Sequence, residues 1–234
     1  MKMLVSDYDD TFHIDDNDIL ENIKLVKQFM KNHLFVIATG RGYQTFTNEK
    51  DQYSLDYHYL IINHGATILK KDKIIYNKPI DYLTKEKLIE DLKQKEITYL
   101  FSCFELEGVA IDSKEVTKIH ARYNSKEEAK YIKGILDSKY GNKVNTYLVC
   151  QEKAVEIISC ETDKSKAIGF IASKEHIPKN NIYTIGNSYN DIEMIKEFRG
   201  FAIKDSVSEV KSQAIAEYRS VSLLINDIMR GKYE

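Results

Sequence analysis

Cysteine is scarce in this chain. The three present, Cys103, Cys150 and Cys160, are an odd number with no CxxC pair, which excludes a disulfide framework and a structural zinc site of ordinary spacing. Uncharged length is lacking as well: the opening Met1-Lys2-Met3-Leu4-Val5-Ser6-Asp7 soon meets charge, and no stretch reaches the ~18 apolar residues of a membrane span. Charge of one sign is also missing. With 36 acidic against 34 basic residues there is no basic field to hold a nucleic acid. Only two prolines punctuate the chain, and it has neither internal repeats nor low-complexity tracts. These absences lead to the expectation of a soluble, cytoplasmic protein, a monomer or small homo-oligomer, with no nucleic-acid or membrane partner.

What is present is a globular composition, 234 residues of which 43% are hydrophobic, enough for one large core or a core plus a smaller module. Short apolar runs end in small or polar residues and are followed by helical patterns, as in a parallel sheet with crossover helices. Met3 to Ser6 runs into an aspartate cluster, after which Ile19, Ile23, Val26 and Met30 share a helical face. Leu34 to Ala38 ends in Thr39-Gly40-Arg41-Gly42, Tyr59 to Ile62 ends in Asn63-His64-Gly65, and Ile182 to Ile185 ends in the loop Gly186 to Asp191, where a helix begins. In an open α/β sheet, loops at the carboxyl ends of the strands share one crevice.

The middle of the chain alternates differently. A helical pattern over Thr84 to Lys95, strand patterns at Ile97 to Phe104 and Val109 to Ile111, a helix over Ser125 to Tyr140, and strands at Val144 to Cys150 and Val155 to Ser159 predict a small α+β module. Ser125 and Glu128 have capping-box spacing. The fold expected is therefore an α/β, Rossmann-like core of residues 1–79 and 161–234 with an inserted α+β cap at 80–160, hinged near Pro79 and Asp163-Lys164-Ser165.

Asp7 and Asp9, two residues apart at a strand end, can reach one cavity if the loop coils there, with Thr11 bonding inside the turn. Two such carboxylates suit Mg²⁺, which takes oxygen ligands and keeps several waters. Thr39 and the amides of the following glycine turn, Gly40 first, suit phosphate oxygens. A lysine near the second hinge would neutralise phosphate and hold Asp7 ionised, and spacing alone leaves Lys164 and Lys166 as alternatives. Each feature by itself is also what an ordinary turn or helix start carries; Asn187, Asn190 and Asp191 can be plain turn and cap residues.

Taken in order, Asp7-Tyr8-Asp9-Asp10-Thr11, Ala38-Thr39-Gly40-Arg41, Lys164-Ser165-Lys166-Ala167-Ile168 and Gly186-Asn187-Ser188-Tyr189-Asn190-Asp191 resemble the motifs of the haloacid dehalogenase (HAD) superfamily, most of all its Cof-type phosphatases, whose cap lies between the second and third motifs. The resemblance spans nearly the whole chain. It implies a Mg²⁺-dependent phosphatase of small phosphorylated metabolites, sugar phosphates foremost, with Asp7 as nucleophile and Asp9 as general acid and base. It further implies phosphate contacts from Thr39, Gly40, Lys164 and Asn190, and metal contacts from Asp7, Asp9, Asn187 and Asp191. A non-hydrolytic phosphate-binding or sensory protein and a phosphomutase are the alternatives. A receiver domain is excluded, because its phospho-acceptor does not sit on the first strand.

Two positions depart from the family pattern. Asn187 stands where Asp is usual, which removes one negative charge from the metal site and predicts weaker Mg²⁺ affinity. His64 stands before Gly65 where Asn is usual, so it either touches substrate or caps a strand end. Tyr99, Phe101, Phe104, Tyr123 and Tyr147 are candidates for the leaving-group pocket or for the cap core.

Overall fold

The computed structural model describes residues 1–233; Glu234, the last residue of the expected core segment, lies outside them. The chain opens with β1 (Met3–Asp7), α1 (Asp16–Phe29), β2 (Leu34–Ala38), α2 (Tyr43–Tyr53), β3 (Tyr59–Ile62), β4 (Thr67–Lys70) and β5 (Lys73–Asn77). It continues through α3 (Tyr82–Leu92), β6 (Ile97–Phe104), β7 (Glu107–Val109), β8 (Lys118–Tyr123), α4 (Lys126–Tyr140), β9 (Val144–Val149) and β10 (Ala154–Ser159). It closes with α5 (Lys164–Lys174), β11 (Ile182–Gly186), α6 (Ile192–Glu197), β12 (Arg199–Ile203), α7 (Ser208–Lys211), β13 (Glu217–Tyr218) and α8 (Val221–Met229). Among the described residues no helix is long and apolar enough to cross a membrane.

The first sheet has the order β13-β12-β11-β1-β2-β3-β4-β5, parallel from β13 to β3. β1 lies between β11 and β2, so the segment that ends at Asp7 is central. Its side chains alternate between two apolar layers. Leu4 meets Phe29 and Ile225 on one face, while Met3 and Val5 meet Ile168 and Ile171 of α5 on the other. Because both faces are covered, the strands read as unbroken apolar runs.

The antiparallel hairpin β4–β5 at one edge was not legible beforehand. Its turn is Lys71-Asp72, both with positive φ (49° and 59°), in a place where Asn-Gly is the usual signal.

The second sheet, β7-β6-β8-β10-β9, is antiparallel throughout. Leu88 and Leu92 of α3 and Ile132 and Leu136 of α4 cover one face, packing on Ile119, Ala121, Tyr123, Val155 and Ile157. β8 makes no apolar run, because Lys118 and His120 face the cavity while Ile119, Ala121 and Tyr123 face the helices; its alternation is that of a strand covered on one side. An α/β parallel core joined to a smaller antiparallel α+β layer is therefore the architecture.

Local signals shift in detail. The β7 strand precedes the expected Val109 to Ile111, and α3 begins earlier than expected because Asp81 caps it, accepting from Thr84 N at 2.9 Å. Ser125 caps α4 by accepting from Glu128 N at 3.2 Å, but the Glu128 carboxylate reaches back to Asn124 N, one residue before the box position. On α1 the buried face is Ile19, Asn22, Leu25, Val26 and Phe29, with Ile23 and Met30 at its margin. The face is turned by Asn22, whose Nδ2 donates to Phe12 O at 2.8 Å while its Oδ1 accepts from Ser222 N at 2.7 Å. One buried amide thus ties the loop after β1 to the start of α8.

Asn22→Ala leaves that carbonyl and that amide without partners, and should lower stability by about 2 to 4 kcal/mol. A urea titration should show a lower midpoint with an unchanged slope.

Candidate active site

The loop after β1 coils tightly. Tyr8 O accepts from Phe12 N at 3.0 Å and from His13 N at 2.9 Å, and Asp10 takes a left-handed φ of 54°. The Thr11 hydroxyl, expected to bond inside this turn, is buried and finds no partner; main-chain bonds close the turn instead.

Asp7 ends the central strand and is 4% exposed. Its Oδ1 accepts from Lys164 Nζ at 2.6 Å, and the same ammonium donates to Asp191 Oδ1 at 2.7 Å. Geometry thereby separates the two lysines: Lys166 instead donates to the Cys160 carbonyl at 2.7 Å, out toward solvent. Burial, and then the neighbouring Asp191, push the Asp7 carboxyl up to about 7, with Lys164 opposing. Burial works against the Lys164 ammonium, yet the two carboxylates outweigh it and hold its pKa above the ordinary value.

Asp191 is fully buried, and its second oxygen accepts from Asn187 N at 2.9 Å and Ser188 N at 3.0 Å. Both its oxygens are therefore occupied by protein donors. It shapes the Asn187 loop and steadies Lys164 from behind the cavity lining.

Above Asp7 lies a cavity of about 900 Å³ between the two sheets. Asp7, Asp9, Gly40, Asn187 and Asn190 line its core side, and Tyr99, Phe101, Lys118, His120 and Glu156 its cap side. Thr39 sits just behind, fully buried, its hydroxyl accepting from Arg41 N at 3.1 Å. Of the aromatic candidates, Tyr99 and Phe101 border the cavity, Tyr123 is cap core, and Tyr147 stacks on His64 with centroids 4.4 Å apart.

Three features were missed by the sequence reading. Arg41 grips the Asp9 carboxylate, with Nη2 2.6 Å from Oδ1 and Nε 3.0 Å from Oδ2, and also reaches Glu49 at 2.9 Å. Lys118 of β8 donates to Gly40 O at 2.7 Å and to Glu156 at 3.1 Å. Glu156 of β10 also bonds His120 at 3.0 Å and the His64 ring. An arginine beside a glycine turn gives a weak signal for Asp9, but nothing in spacing joins residues 118, 120 and 156.

Toward a cation the floor of the cavity offers oxygen and no thiol: the Asp7 and Asp9 segment and the Asn187 amide. Among the described residues no three acidic, histidine or cysteine side chains converge as a metal-holding group. That donor set fits a hard ion resting on one carboxylate, neutral oxygens and water, as Mg²⁺ does.

A family model for haloacid dehalogenase-like hydrolases matches residues 4–114 and 106–221. The chain belongs to this family. A HAD/COF-like hydrolase from Plasmodium vivax, so described provisionally, superposes with a TM-score of 0.86 over 98% of this chain and 96% of its own, at 18% identity. That likeness speaks for the fold, and the Cof-type resemblance of the motifs agrees with it. Among curated relatives, a functionally undescribed protein of Mycoplasma capricolum is 28% identical over 236 residues, covering 84% of this chain and 88% of its own. A Mycoplasma genitalium protein provisionally named a phosphatase is 32% identical over 97 residues, 41% of this chain and 34% of that one. As a member of this family, the chain is a hydrolase.

The raised Asp7 carboxyl makes a signed prediction for the metal-free HAD-like protein. Between its ordinary value of 3.8 and about 7 the folded state binds the extra proton, so stability contributed by protonated Asp7 is lost as pH rises through that window. Asp7→Asn should therefore gain on wild type as pH rises from about 4 to 7. Denaturant midpoints of the two proteins, measured with chelator across that range, check it; a constant gap would contradict it.

Proposed function

We propose that the protein is a Mg²⁺-dependent phosphatase of small phosphorylated molecules, with sugar phosphates the foremost class, and that Asp7 is its nucleophile. The observation that carries this reading is a buried carboxylate at the end of the central strand. It is paired to Lys164 at 2.6 Å and opens onto a cavity closed above by the second sheet.

In the first step an Asp7 carboxylate oxygen attacks phosphorus, the bond to the ester oxygen breaks, and Asp9 gives its proton to the departing alkoxide. In the second, Asp9 takes a proton from water, the hydroxide attacks the aspartyl phosphate, and orthophosphate leaves with Asp7 restored. Arg41 constrains this sequence, because its guanidinium forks onto the Asp9 side chain. Asp9 must leave the guanidinium to act as an acid, and an arriving phosphate is the natural competitor for that fork. Lys164, bonded to Asp7, lies beside the position where phosphoryl charge develops, and Gly40 and Asn190 border that end of the cavity. Asp7, the Asp9 carbonyl and Asn187 would hold Mg²⁺, which would neutralise phosphoryl charge.

A cavity of about 900 Å³ between core and cap suits a single small molecule. Tyr99 and Phe101 supply apolar faces and Lys118 and His120 polar ones, which is the mixture a polyhydroxylated leaving group asks for. A second reading, phosphate binding without turnover, is favoured by Asn187 in place of a carboxylate. A phosphomutase is distinguished by returning phosphate to the sugar.

Asp7→Asn should reduce phosphate release from a generic ester by about a thousandfold or more while the urea midpoint shows an intact fold. Wild-type turnover by that variant would refute the nucleophile. Asn187→Asp should lower the Mg²⁺ concentration for half-maximal rate by about tenfold, or about 1.4 kcal/mol. An unchanged Mg²⁺ titration would remove Asn187 from the metal site.

A further inference from the structure

The Asn63-His64 pair is backbone-strained. Both residues take left-handed φ values, 52° and 56°, which non-glycine residues adopt at a cost and keep only where surroundings impose them. The strain aims the His64 ring under the cap, where it lies 1% exposed against Tyr147 of β9 and against Gly40, at which any side chain would strike the ring.

Its two nitrogens face two different bodies. Nε2 meets a carboxylate oxygen of Glu156, on the cap sheet, and Nδ1 lies 3.1 Å from Asn190 Nδ2, on the core loop. Lys118, His120 and His64 keep Glu156 ionised despite its burial, so it only accepts, and Nε2 carries the proton. Burial keeps the imidazole neutral, so Nδ1 is left to accept from the Asn190 amide. Every donor then has an acceptor.

From Asn190 the bonds continue without a gap. Ser188 Oγ donates to Asn190 Oδ1 at 2.6 Å, Ser188 N to Asp191 at 3.0 Å, and Lys164 joins Asp191 at 2.7 Å to Asp7 at 2.6 Å. A second tie, Lys118 Nζ to Gly40 O at 2.7 Å, leaves from the same Glu156 cluster for the glycine turn. If the cap lifts, both ties break together, and the buried Glu156 loses its core partner.

We propose that His64 is a positioning residue that couples closure of the cap, through Glu156, to the Asn190 loop that sets Lys164 against Asp7. The kinetic side of this inference rests on the phosphatase reading above; the closure side does not. Opening the cap takes Glu156 from His64 Nε2 and lets water at the ring, so the tautomer and orientation that present Nδ1 to Asn190 are fixed only in the closed state. Substrate that fills the cavity and keeps the cap down therefore meets an ordered nucleophile.

The test uses His64→Asn, which suits a left-handed position but cannot span to Glu156, and Glu156→Gln, which keeps the shape of the cap side. Kinetics with p-nitrophenyl phosphate and Mg²⁺ should show kcat lowered about tenfold in each, KM within about twofold, and the double variant no worse than the worse single. Small-angle X-ray scattering of the ligand-free full chain should show both singles expanded relative to wild type, with no further expansion in the double. His64→Asn that keeps the wild-type kcat, or losses that multiply in the double variant, would overturn the coupling. If wild type hydrolyses no ester, the phosphatase reading fails and scattering alone decides the inference: a His64→Asn protein as compact as wild type overturns it, and an expanded one upholds it.

Discussion

Everything in this molecule is arranged around one ammonium shared by two buried carboxylates. Lys164 has no place in a dry interior without carboxylates beside it, and Asp7 and Asp191 both bond its ammonium there. The three groups come from β1, from the start of α5 and from the loop after β11, so forming the cluster requires that β11 lie beside β1 and that the chain return to the core after its long excursion. The sheet order is thus written into an electrostatic requirement. Burial first, and Asp191 beside it, hold the Asp7 carboxyl up at about 7 against the opposing Lys164.

Much of this was legible in the chain, for physical reasons. A strand buried on both faces must be continuously apolar, and a loop that ends it must carry whatever chemistry the crevice has, so Asp7, Thr39 and the Asn187 to Asp191 segment stood out. Helix α4 announced itself through Ser125. What stayed hidden has equally physical causes. The β4–β5 turn uses Lys71 and Asp72 against their preference, so no turn residue marks it. β8 alternates Lys118 and His120 toward the cavity with Ile119, Ala121 and Tyr123 toward the helices, so it makes no continuous apolar run like those that mark the core strands. Spacing could not separate Lys164 from Lys166, since the choice depends on which face of α5 meets β1.

The cap contributes enclosure and a set of polar groups that the core lacks. Glu156 gathers Lys118, His120 and His64 at the seam, and the seam lies directly over the glycine turn. Buried charges of this kind add little net stability, because desolvation offsets attraction, but they penalise every arrangement in which a partner is missing. Here that penalty discriminates between closed and open states of the seam. The departures at Asn187 and His64 then meet on one loop: Asn187 gives it an amide where a carboxylate is usual, and His64 bonds both Glu156 of the cap and Asn190 of that loop.

The central claim is that Asp7 carries the phosphoryl group. Its most direct test is rapid acid quench of the wild-type protein during turnover of a phosphate ester with Mg²⁺, followed by borohydride trapping and peptide mass spectrometry. The account predicts covalent modification on the peptide containing Asp7, forming and decaying at a rate compatible with turnover. Phosphate released with no trapped adduct at Asp7, or with the adduct on another residue, would contradict it.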